Sequence, residues 1–418
     1  MSEHAPQRNA LLDQFRGHLS TRRYASRVIN RYVAVAGHFL HFLERQHTPI
    51  ATAQPHHVAM YLQSELRRFH RRHGRAPSSI DDWRRSHTPG IHEFLRMLTG
   101  QWPPISDATT PVEAFIQELC RDYTQWLGDQ RGLAITTIAD LEAEARRFLA
   151  WHTGRTQPSS LLEMQVADID AYLQDRAPSL RRITRKSVAQ RLRCFLRFAH
   201  VTGRTDRDFA RCVMAPTLYA FEAIPSALSP QAIRAVLKIT REDRSPKGLR
   251  DYAILLLLST YGLRAGEITQ LQLDDIDWRA DRFCVRHTKT GAQSFLPLVP
   301  RVGEALLAYL RRGRPSTEAR EIFIRTRAPY RGLHDGSALY SPVRGRLEAA
   351  GVEPKGKHGP HTFRHARAVS LLRAGVPLKV IGDVLGHRSA ASLMAYLKLD
   401  TEELRAVALE IPTPEAQP

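Results

Sequence analysis

The sequence predicts a mainly α-helical protein of α+β class, with helical bundles in the N-terminal half and a small antiparallel β-sheet in the C-terminal domain. Two observations support this prediction. Apolar residues recur at three- and four-residue steps through about the first 220 residues, which is the period of an amphipathic helix. A single strand–turn–strand pattern interrupts the helical pattern later, between residues 283 and 298. The 418 residues are enough for two or three ordinary domains.

The helical half contains two similar segments, which indicate a diverged repeat. The first carries HFLHF at 38–42 and VAMYLQ at 58–63, and the second carries RFLAW at 147–151 and IDAYLQ at 169–174. Each segment ends in a further amphipathic helix, near Phe94 and near Phe195. Two unrelated helices with a shared preference for Phe, Leu and Tyr are the alternative. We interpret the segments as two helical bundles.

Proline-bearing segments predict the domain boundaries. The segment 101–111 separates a first bundle, 1–105, from a second bundle, 110–215. The segment 216–230 is the best candidate for an interdomain linker. A C-terminal domain over 229–410 and a short tail, 411–418, complete the expected organisation.

The elements of the C-terminal domain follow from local signals. Ser229 and Pro230 predict a capped helix start with proline at the first helical position. A helix with a solid apolar face is expected over 248–261, and a hairpin over 283–298 with its turn at Thr290 and Gly291. Most of the chain from Arg301 on is predicted to be helical.

The charge of the chain points to a polyanionic partner. Lys and Arg total 61 against 42 Asp and Glu, which leaves a net charge of +19. A basic excess on a folded chain is typical of proteins that bind nucleic acid, so nucleic acid is the expected partner. A basic protein without such a partner is the alternative.

Other sequence signals narrow the class of protein. The four cysteines lack CxxC spacing and most stand in apolar segments, which favours reduced core thiols in a cytoplasmic protein. No HExxH motif or Cys/His cluster with metal-ligand spacing occurs. The N-terminus has no apolar signal stretch, and the longest apolar run, 252–258, is too short to cross a membrane.

One group of candidate site residues surrounds the predicted hairpin. The apolar helix ends in a Gly-Leu-Arg turn that brings Arg264 out of a buried segment. Glu267 follows one helical turn later, where it could hold Arg264 through a fork-type pair; a purely structural pair is the alternative. Lys289 falls at the tip of the hairpin, in HTKTG at 287–291, although exposed hairpin lysines are common.

A second group lies further along, in HTFRH at 361–365 and LGH at 385–387. His361 and Arg364 are three residues apart, so at a helix start they share one face at the positive end of the helix dipole, where an anion binds readily. His387 stands in a predicted turn. Tyr396 lies near the end of the last predicted helix, a place where tyrosine is more often a half-buried packing residue.

Taken together and in this order, the motifs resemble those of the catalytic domain of the tyrosine-recombinase, or phage-integrase, family. The likeness consists of Gly-Leu-Arg-x-x-Glu, a hairpin lysine, His-x-x-Arg-His, Leu-Gly-His and a tyrosine nine residues after that histidine, and it covers about 229–410. The segment 110–215 resembles the core-binding domain of the family more weakly. The resemblance implies six catalytic residues: Arg264, Lys289, His361, Arg364, His387 and Tyr396. It implies two supporting residues: Glu267 and His365.

The resemblance also implies roles. Arg264 and Arg364 would clamp the non-bridging oxygens of the scissile phosphate, and His361 and His387 would add hydrogen bonds. Tyr396 would attack phosphorus to form a 3′-phosphotyrosyl link, with His361 as a candidate general base for Tyr396. Lys289 would protonate the leaving 5′ oxygen.

The sequence departs from the family pattern at two places. Many members carry a basic residue shortly after the hairpin lysine, where this chain has Ala292-Gln293-Ser294, so one contact to the DNA backbone is in doubt. Phe363 stands where leucine is common, which should matter little.

The expected activity is therefore site-specific recombination or integration of DNA, in the service of a mobile genetic element, without metal, ATP or another cofactor. The resemblance implies four protomers on double-stranded DNA, identical or mixed with a partner recombinase, and no membrane. A predicted tail helix at 401–409 could dock on a neighbouring protomer. Two alternatives stay open: a type IB topoisomerase-like nicking and closing enzyme, and a catalytically inactive DNA-binding relative. The segment 1–105 would lengthen the DNA footprint or contact a partner recombinase.

Overall fold

The computed structural model describes residues 4–104, 108, 110–156, 160–218, 227–287, 291–354, 356 and 358–386. Contacts divide the chain into two compact units. One unit consists of Pro104–Glu222, and the other combines Met1–Pro103 with Ala223–Pro418. The domain boundaries expected from the sequence stay a prediction.

The first four helices follow the periodicity of the sequence. They are α1 (His4–Thr21), α2 (Ser26–Arg45), α3 (Pro55–His73) and α4 (Ile80–Thr99). Helix α3 has proline at its start and ends at Gly74, which adopts the left-handed conformation that glycine tolerates best, with a φ of 65°. The side chain of Ser79 caps α4 by accepting a hydrogen bond from the backbone of Asp82.

The next four helices form the other compact unit. They are α5 (Pro111–Asp129), α6 (Ile135–Thr156), α7 (Val166–Arg176) and α8 (Arg182–Val201). Thr110 caps α5 by accepting a hydrogen bond from the backbone of Glu113. One apolar cluster runs through all four helices, with Leu119, Phe148 and Phe195 fully buried in it.

Matching aromatic contacts stand at the positions that suggested a repeat. In the first segment, Phe39 meets Tyr61 edge to face with ring centroids 5.4 Å apart. In the second, Phe148 meets Tyr172 edge to face at 5.2 Å. In both segments the aromatic residue three positions after the phenylalanine also packs edge to face on the same tyrosine, at 5.7 Å and 5.4 Å. This shared packing supports the repeat hypothesis.

The rest of the chain forms an α+β arrangement. Its helices and strands are α9 (Pro230–Glu242), α10 (Pro246–Tyr261), α11 (Ala265–Thr269), β1 (Ile276–Asp277), β2 (Arg282–Arg286), β3 (Gln293–Pro297), α12 (Pro300–Arg312), α13 (Tyr340–Ala349), α14 (His361–Arg373) and α15 (Leu378–Leu385). The strands pair in the order β1–β2–β3 and are antiparallel throughout. The predicted fold class is confirmed.

Helix α10 is the central element of this arrangement because it is apolar on nearly every side. Leu255 to Leu258 are all buried, and α9, α12 and α14 pack around the helix. At its end, the hydroxyl of Tyr261 donates to the carbonyl of Pro297 at 2.7 Å and accepts from the backbone of Val299 at 2.9 Å. These two bonds join the end of α10 to the end of the sheet.

The predicted start of α9 is confirmed: Ser229 accepts a hydrogen bond from the backbone of Ala232, and Pro230 is the first helical residue. All four cysteines are free thiols, and Cys120 and Cys284 are buried. Among the described residues, no helix combines the length and the apolar composition needed for a membrane crossing.

Candidate active site

A sharp turn after α10 positions Arg264. Gly262 ends the helix in the left-handed conformation, with a φ of 68°, and Arg264 becomes the residue that precedes α11. A side chain at position 262 would be obstructed as well, because a Cβ there would lie 2.8 Å from a methyl carbon of Leu385. The first residue of the Gly-Leu-Arg motif therefore has to be glycine, because the chain turns back against α15 at this point.

Arg264 is held by two partners. Its Nη1 donates to Glu267 at 2.8 Å, and its Nη2 donates to the carbonyl of Gly386 at 2.8 Å. The other carboxylate oxygen of Glu267 accepts from the backbone N–H of Arg264 at 2.8 Å. The contact thus differs from the fork expected from the sequence, since one carboxylate binds the guanidinium and caps α11 at the same time.

Glu267 is ionised and deeply buried, with an exposed fraction of 3 %. Burial alone raises the pKa of this carboxyl, but hydrogen bonds from His287 and from the backbone and guanidinium of Arg264 outweigh burial, so the pKa lies below its ordinary value. The buried negative charge fixes the position of the arginine beside it.

Arg364 lies in the first turn of α14 and is also buried, with an exposed fraction of 3 %. Its Nη1 donates to the carbonyl of Gly262 at 2.8 Å, and its Nη2 donates to the carbonyl of Leu385 at 2.5 Å. The second bond reaches the residue directly before Gly386, the acceptor for Arg264. The two predicted arginines therefore bind consecutive carbonyls at the end of α15.

The histidines of α14 occupy a more open position. His361 is the first residue of the helix and is exposed, while Arg364 one turn later is buried, so the two do not share one exposed face. The rings of His361 and His365 stack at 6.2 Å along the helix. His365 is half-buried, in keeping with a supporting place behind His361.

Three predicted catalytic residues, Lys289, His387 and Tyr396, lie outside the described residues, as does the predicted tail helix 401–409. Their neighbours are described. His287 donates its backbone N–H to Ala292 and accepts from the backbone of Gly291, both at 2.8 Å. These bonds join the two chain positions that flank 288–290. The site assignment of the six residues stays a prediction.

His287 is a buried member of the site that the motif reasoning missed. Its Nδ1 lies 2.8 Å from Glu267 and its Nε2 lies 2.9 Å from the hydroxyl of Ser294. It directly follows the first strand of the hairpin, two residues before Lys289, and its exposed fraction is 4 %. A histidine at the base of a functional hairpin was the available signal, but its partner Glu267 stands 20 positions away.

The arrangement provides fixed positive charge beside a helix start, a setting suited to an anion such as a phosphate. Among the described residues, no group of three or more His, Cys, Asp or Glu is placed to hold a metal ion.

Comparisons with known proteins agree with this geometry. The profile of the phage integrase family matches residues 226–403. Integrase/recombinase y4gC of Sinorhizobium fredii is 60% identical over 192 residues, which are 46% of this chain and 98% of that relative. Integrase/recombinase y4rA of the same organism is 33% identical over 96% of this chain and 92% of its own length. Tyrosine recombinase XerD of Mycobacterium tuberculosis is 29% identical over 68% of this chain and 94% of its own.

Two solved structures share the fold. The XerH site-specific recombinase bound to a palindromic difH substrate has a TM-score of 0.57 at 15% identity, over 72% of this chain and 97% of that one. The lambda integrase tetramer bound to a Holliday junction has a TM-score of 0.51 at 18% identity, over 74% of this chain and 86% of that chain. Because y4rA aligns with almost the whole chain at this level of identity, the chain belongs to the phage integrase family.

Proposed function

We propose that this protein is a site-specific recombinase that cleaves and rejoins DNA through a 3′-phosphotyrosyl intermediate, with Tyr396 as nucleophile. The observation that supports this most directly is the pair of guanidiniums on consecutive carbonyls at Leu385 and Gly386. Arg264 and Arg364 are 100 residues apart in the sequence. In the folded chain both bind the end of α15, directly before His387.

The reaction needs positive charge at fixed places. A phosphodiester repels an incoming nucleophile, and negative charge accumulates on the equatorial oxygens in the transition state. A guanidinium carries five N–H donors. An arginine that donates some of them to carbonyls or to Glu267 still has others that can bind phosphate oxygens. Because these partners orient the donors beforehand, little reorganisation remains during the reaction.

Proton transfer completes the mechanism. The tyrosine hydroxyl has an ordinary pKa of about 10, so it needs a base or cationic neighbours to become a nucleophile at neutral pH. His361, exposed at the start of α14, is the proposed base. Lys289 is the proposed acid for the leaving 5′ oxygen. The phosphotyrosyl bond preserves the energy of the phosphodiester, so rejoining needs neither ATP nor a metal.

The partners follow from the same proposal. Recombination joins two duplexes with two cuts in each, which calls for four protomers on DNA. The lambda integrase tetramer on a Holliday junction has this arrangement in a protein of the same fold. We propose a tetramer of this chain, alone or mixed with a related recombinase, acting in the bacterial cytoplasm at the nucleoid for a mobile element.

The nucleophile can be tested directly. DNA covalently attached to the wild-type protein is captured and sequenced to find the target site, and adduct formation is then measured on that site. Tyr396→Phe should bind the DNA and form no adduct. Tyr340→Phe, at a tyrosine that is 46 % exposed, serves as the control and should form adduct at the wild-type rate.

Undiminished adduct formation by Tyr396→Phe would refute the assignment of the nucleophile. Adduct spread over all sequences, with relaxation of any supercoiled plasmid, would support a topoisomerase instead. Binding without any wild-type adduct would support an inactive DNA-binding protein.

A further inference from the structure

The positive charge of the chain is unevenly distributed. The segment 1–103 holds fifteen arginines against seven carboxylates, a net charge of +8. The segment 104–222, which resembles the core-binding domain, holds sixteen basic and fifteen acidic residues, a net charge of +1. The N-terminal segment is therefore the more basic of the two helical regions.

Much of that charge lies on one helix. The last two turns of α3 and the residues just after it carry seven exposed basic side chains: Arg67, Arg68, His70, Arg71, Arg72, His73 and Arg75. We call them the α3 basic surface. Arg45, at the end of α2, lines the same cleft as Arg67, His70 and Arg71.

Few acidic groups offset this surface. Glu65 is the sole carboxylate on α3, and its contact with Arg68 at 3.5 Å is a weak one. Among the described residues, the side chains of Arg67, Arg71 and Arg72 make no hydrogen bond or ion pair. Arginines four positions apart repel each other along a helix, so without an anion the cluster opposes helix formation.

A structural explanation accounts for only part of the cluster. Cations at the C-terminal end of a helix favourably oppose its dipole, which explains one or two residues of the last turn. Arg67 precedes that turn, and Arg75 follows the helix altogether. The remaining charge calls for an external anion.

We propose that the α3 basic surface binds the phosphate backbone of duplex DNA, as a second DNA contact outside the catalytic domain. The inference rests on the proposed function, since DNA is the polyanion on which the chain is proposed to act. Arginine suits this role because its planar fork binds two phosphate oxygens at once. Such contacts position DNA without reading its sequence.

Salt dependence tests the proposal, because each lost phosphate contact lowers the slope of log affinity against log salt by about 0.9. The probe is a labelled duplex of random sequence, titrated over a KCl series with the full chain. The triple variant Arg67→Gln/Arg71→Gln/Arg72→Gln should lower the slope by about 2 to 3. The matched control removes three exposed arginines elsewhere in the same segment: Arg27→Gln, Arg31→Gln and Arg84→Gln.

The control removes the same amount of charge, but from residues outside the α3 basic surface, so it should change the slope by less than about 1. Equal slopes for the two triples would overturn the proposal. An unchanged slope in the surface triple, with loss of DNA-dependent assembly, would overturn it too and assign the surface to a protein contact. The triple Arg67→Lys/Arg71→Lys/Arg72→Lys keeps the charge and should stay near the wild-type slope, which guards against a folding defect. Wild-type adduct formation tests the proposed function separately.

A second inference concerns His287. The imidazole touches three segments of the proposed site: Glu267, which holds Arg264; Ser294 on β3; and Gly386, where a Cβ would lie 2.8 Å from the imidazole Cε1. A carboxylate only accepts hydrogen bonds, so Nδ1 donates to Glu267, and the hydroxyl of Ser294 can pair with Nε2 as donor or acceptor. His287 is therefore packed between the Arg264 turn, the hairpin that carries Lys289 and the turn that precedes His387.

We infer that His287 is a positioning residue for the proposed reaction: it holds Glu267, and through Glu267 the guanidinium of Arg264, without touching DNA. His287→Ala should slow single-turnover adduct formation at least tenfold and leave DNA affinity unchanged. The amide of asparagine reproduces Nδ1, whereas that of glutamine reproduces Nε2. His287→Asn should therefore recover most of the rate, and His287→Gln little of it.

A merely structural role would give a different pattern. In that case the rate of adduct formation in each amide variant would follow its melting temperature. The asparagine and glutamine variants would then not differ in rate beyond their difference in stability. That result, or a loss of DNA affinity equal to the loss of rate, overturns the inference. Tyr396→Phe abolishes adduct whatever His287 does, so the two proposals fail independently.

Discussion

At the scale of single residues, the two arginines of the site differ in what holds them. Arg264 donates to the buried carboxylate of Glu267, whereas Arg364 donates to the carbonyls of Gly262 and Leu385. Glu267 partly neutralises Arg264 and fixes its direction.

The charge of Glu267 should stabilise the fold at neutral pH. Because hydrogen bonds lower the pKa of the folded carboxyl below its ordinary value of 4.5, its stabilising effect is fully present above pH 4.5 and is lost as the pH falls through the lower, folded pKa. Glu267→Gln removes this charge from a buried pair and should cost about 3 kcal/mol at pH 7.

Urea unfolding of wild type and Glu267→Gln across a pH series measures the effect. The difference in unfolding free energy should shrink below pH 4.5 and stay constant above pH 6, while other carboxylates cancel in the comparison. A difference that grows on acidification would contradict the assigned direction of the pKa.

At the scale of elements, Gly262 joins three parts of the site. It turns the chain after α10, its carbonyl accepts from Arg364, and its bare Cα lets Leu385 of α15 approach. Gly262→Ala should lose about 1–2 kcal/mol for the left-handed backbone. Overpacking against Leu385 should add about 1–3 kcal/mol. Displacement of α15 should also slow adduct formation at least tenfold, since its end binds both arginines.

Gly375→Ala is the matched control for this prediction. Gly375 has a similar φ of 72°, but a Cβ there meets nothing within 4 Å. It should therefore show the backbone effect alone and near-normal adduct formation. Equal unfolding free energies for the two variants would mean that close packing of α15 at Gly262 does not matter.

The two matching tyrosines of the helical segments should respond differently to loss of their hydroxyl. Tyr172 donates to Glu144 at 2.5 Å, and Glu144 is buried, so Tyr172→Phe should cost about 1–3 kcal/mol. The hydroxyl of Tyr61 is buried and has no hydrogen-bond partner among the described residues, so Tyr61→Phe should be neutral or stabilising. Thermal unfolding of both variants measures this contrast, and an equal loss of stability in both would contradict it.

These elements show how far sequence reasoning reached. The cap at Ser229, the apolar helix α10 and the hairpin strands depend on signals within a few residues. The structure has these elements at the predicted positions or within a few residues of them. The spacing of His361 and Arg364 did not indicate their burial: His361 is exposed, whereas Arg364 is buried where α14 packs against α10. Helical spacing gives relative direction and does not say which direction is inward.

At the scale of the whole molecule, charge should govern DNA affinity. With a net charge of +19, the chain should bind duplex DNA through many phosphate contacts and release counterions as it does. If six to ten contacts form, affinity for a random duplex should fall by about 10³- to 10⁵-fold between 50 and 200 mM salt. Fluorescence anisotropy over a salt series measures the fall, and an affinity that hardly changes would contradict electrostatic binding.

The sequence by itself determined the helical periodicity, the hairpin, the order of the predicted catalytic motifs and the basic character of the chain. Each of these is carried by composition or by residues close together along the chain. Only the tertiary structure decided that Arg264 binds Gly386, 122 positions away, and that Arg364 binds Gly262, 102 positions away. It also decided that the imidazole of His287 forms a hydrogen bond with Glu267. Such contacts depend on how the helices pack, and the packing is set by the summed burial of many side chains rather than by any one segment.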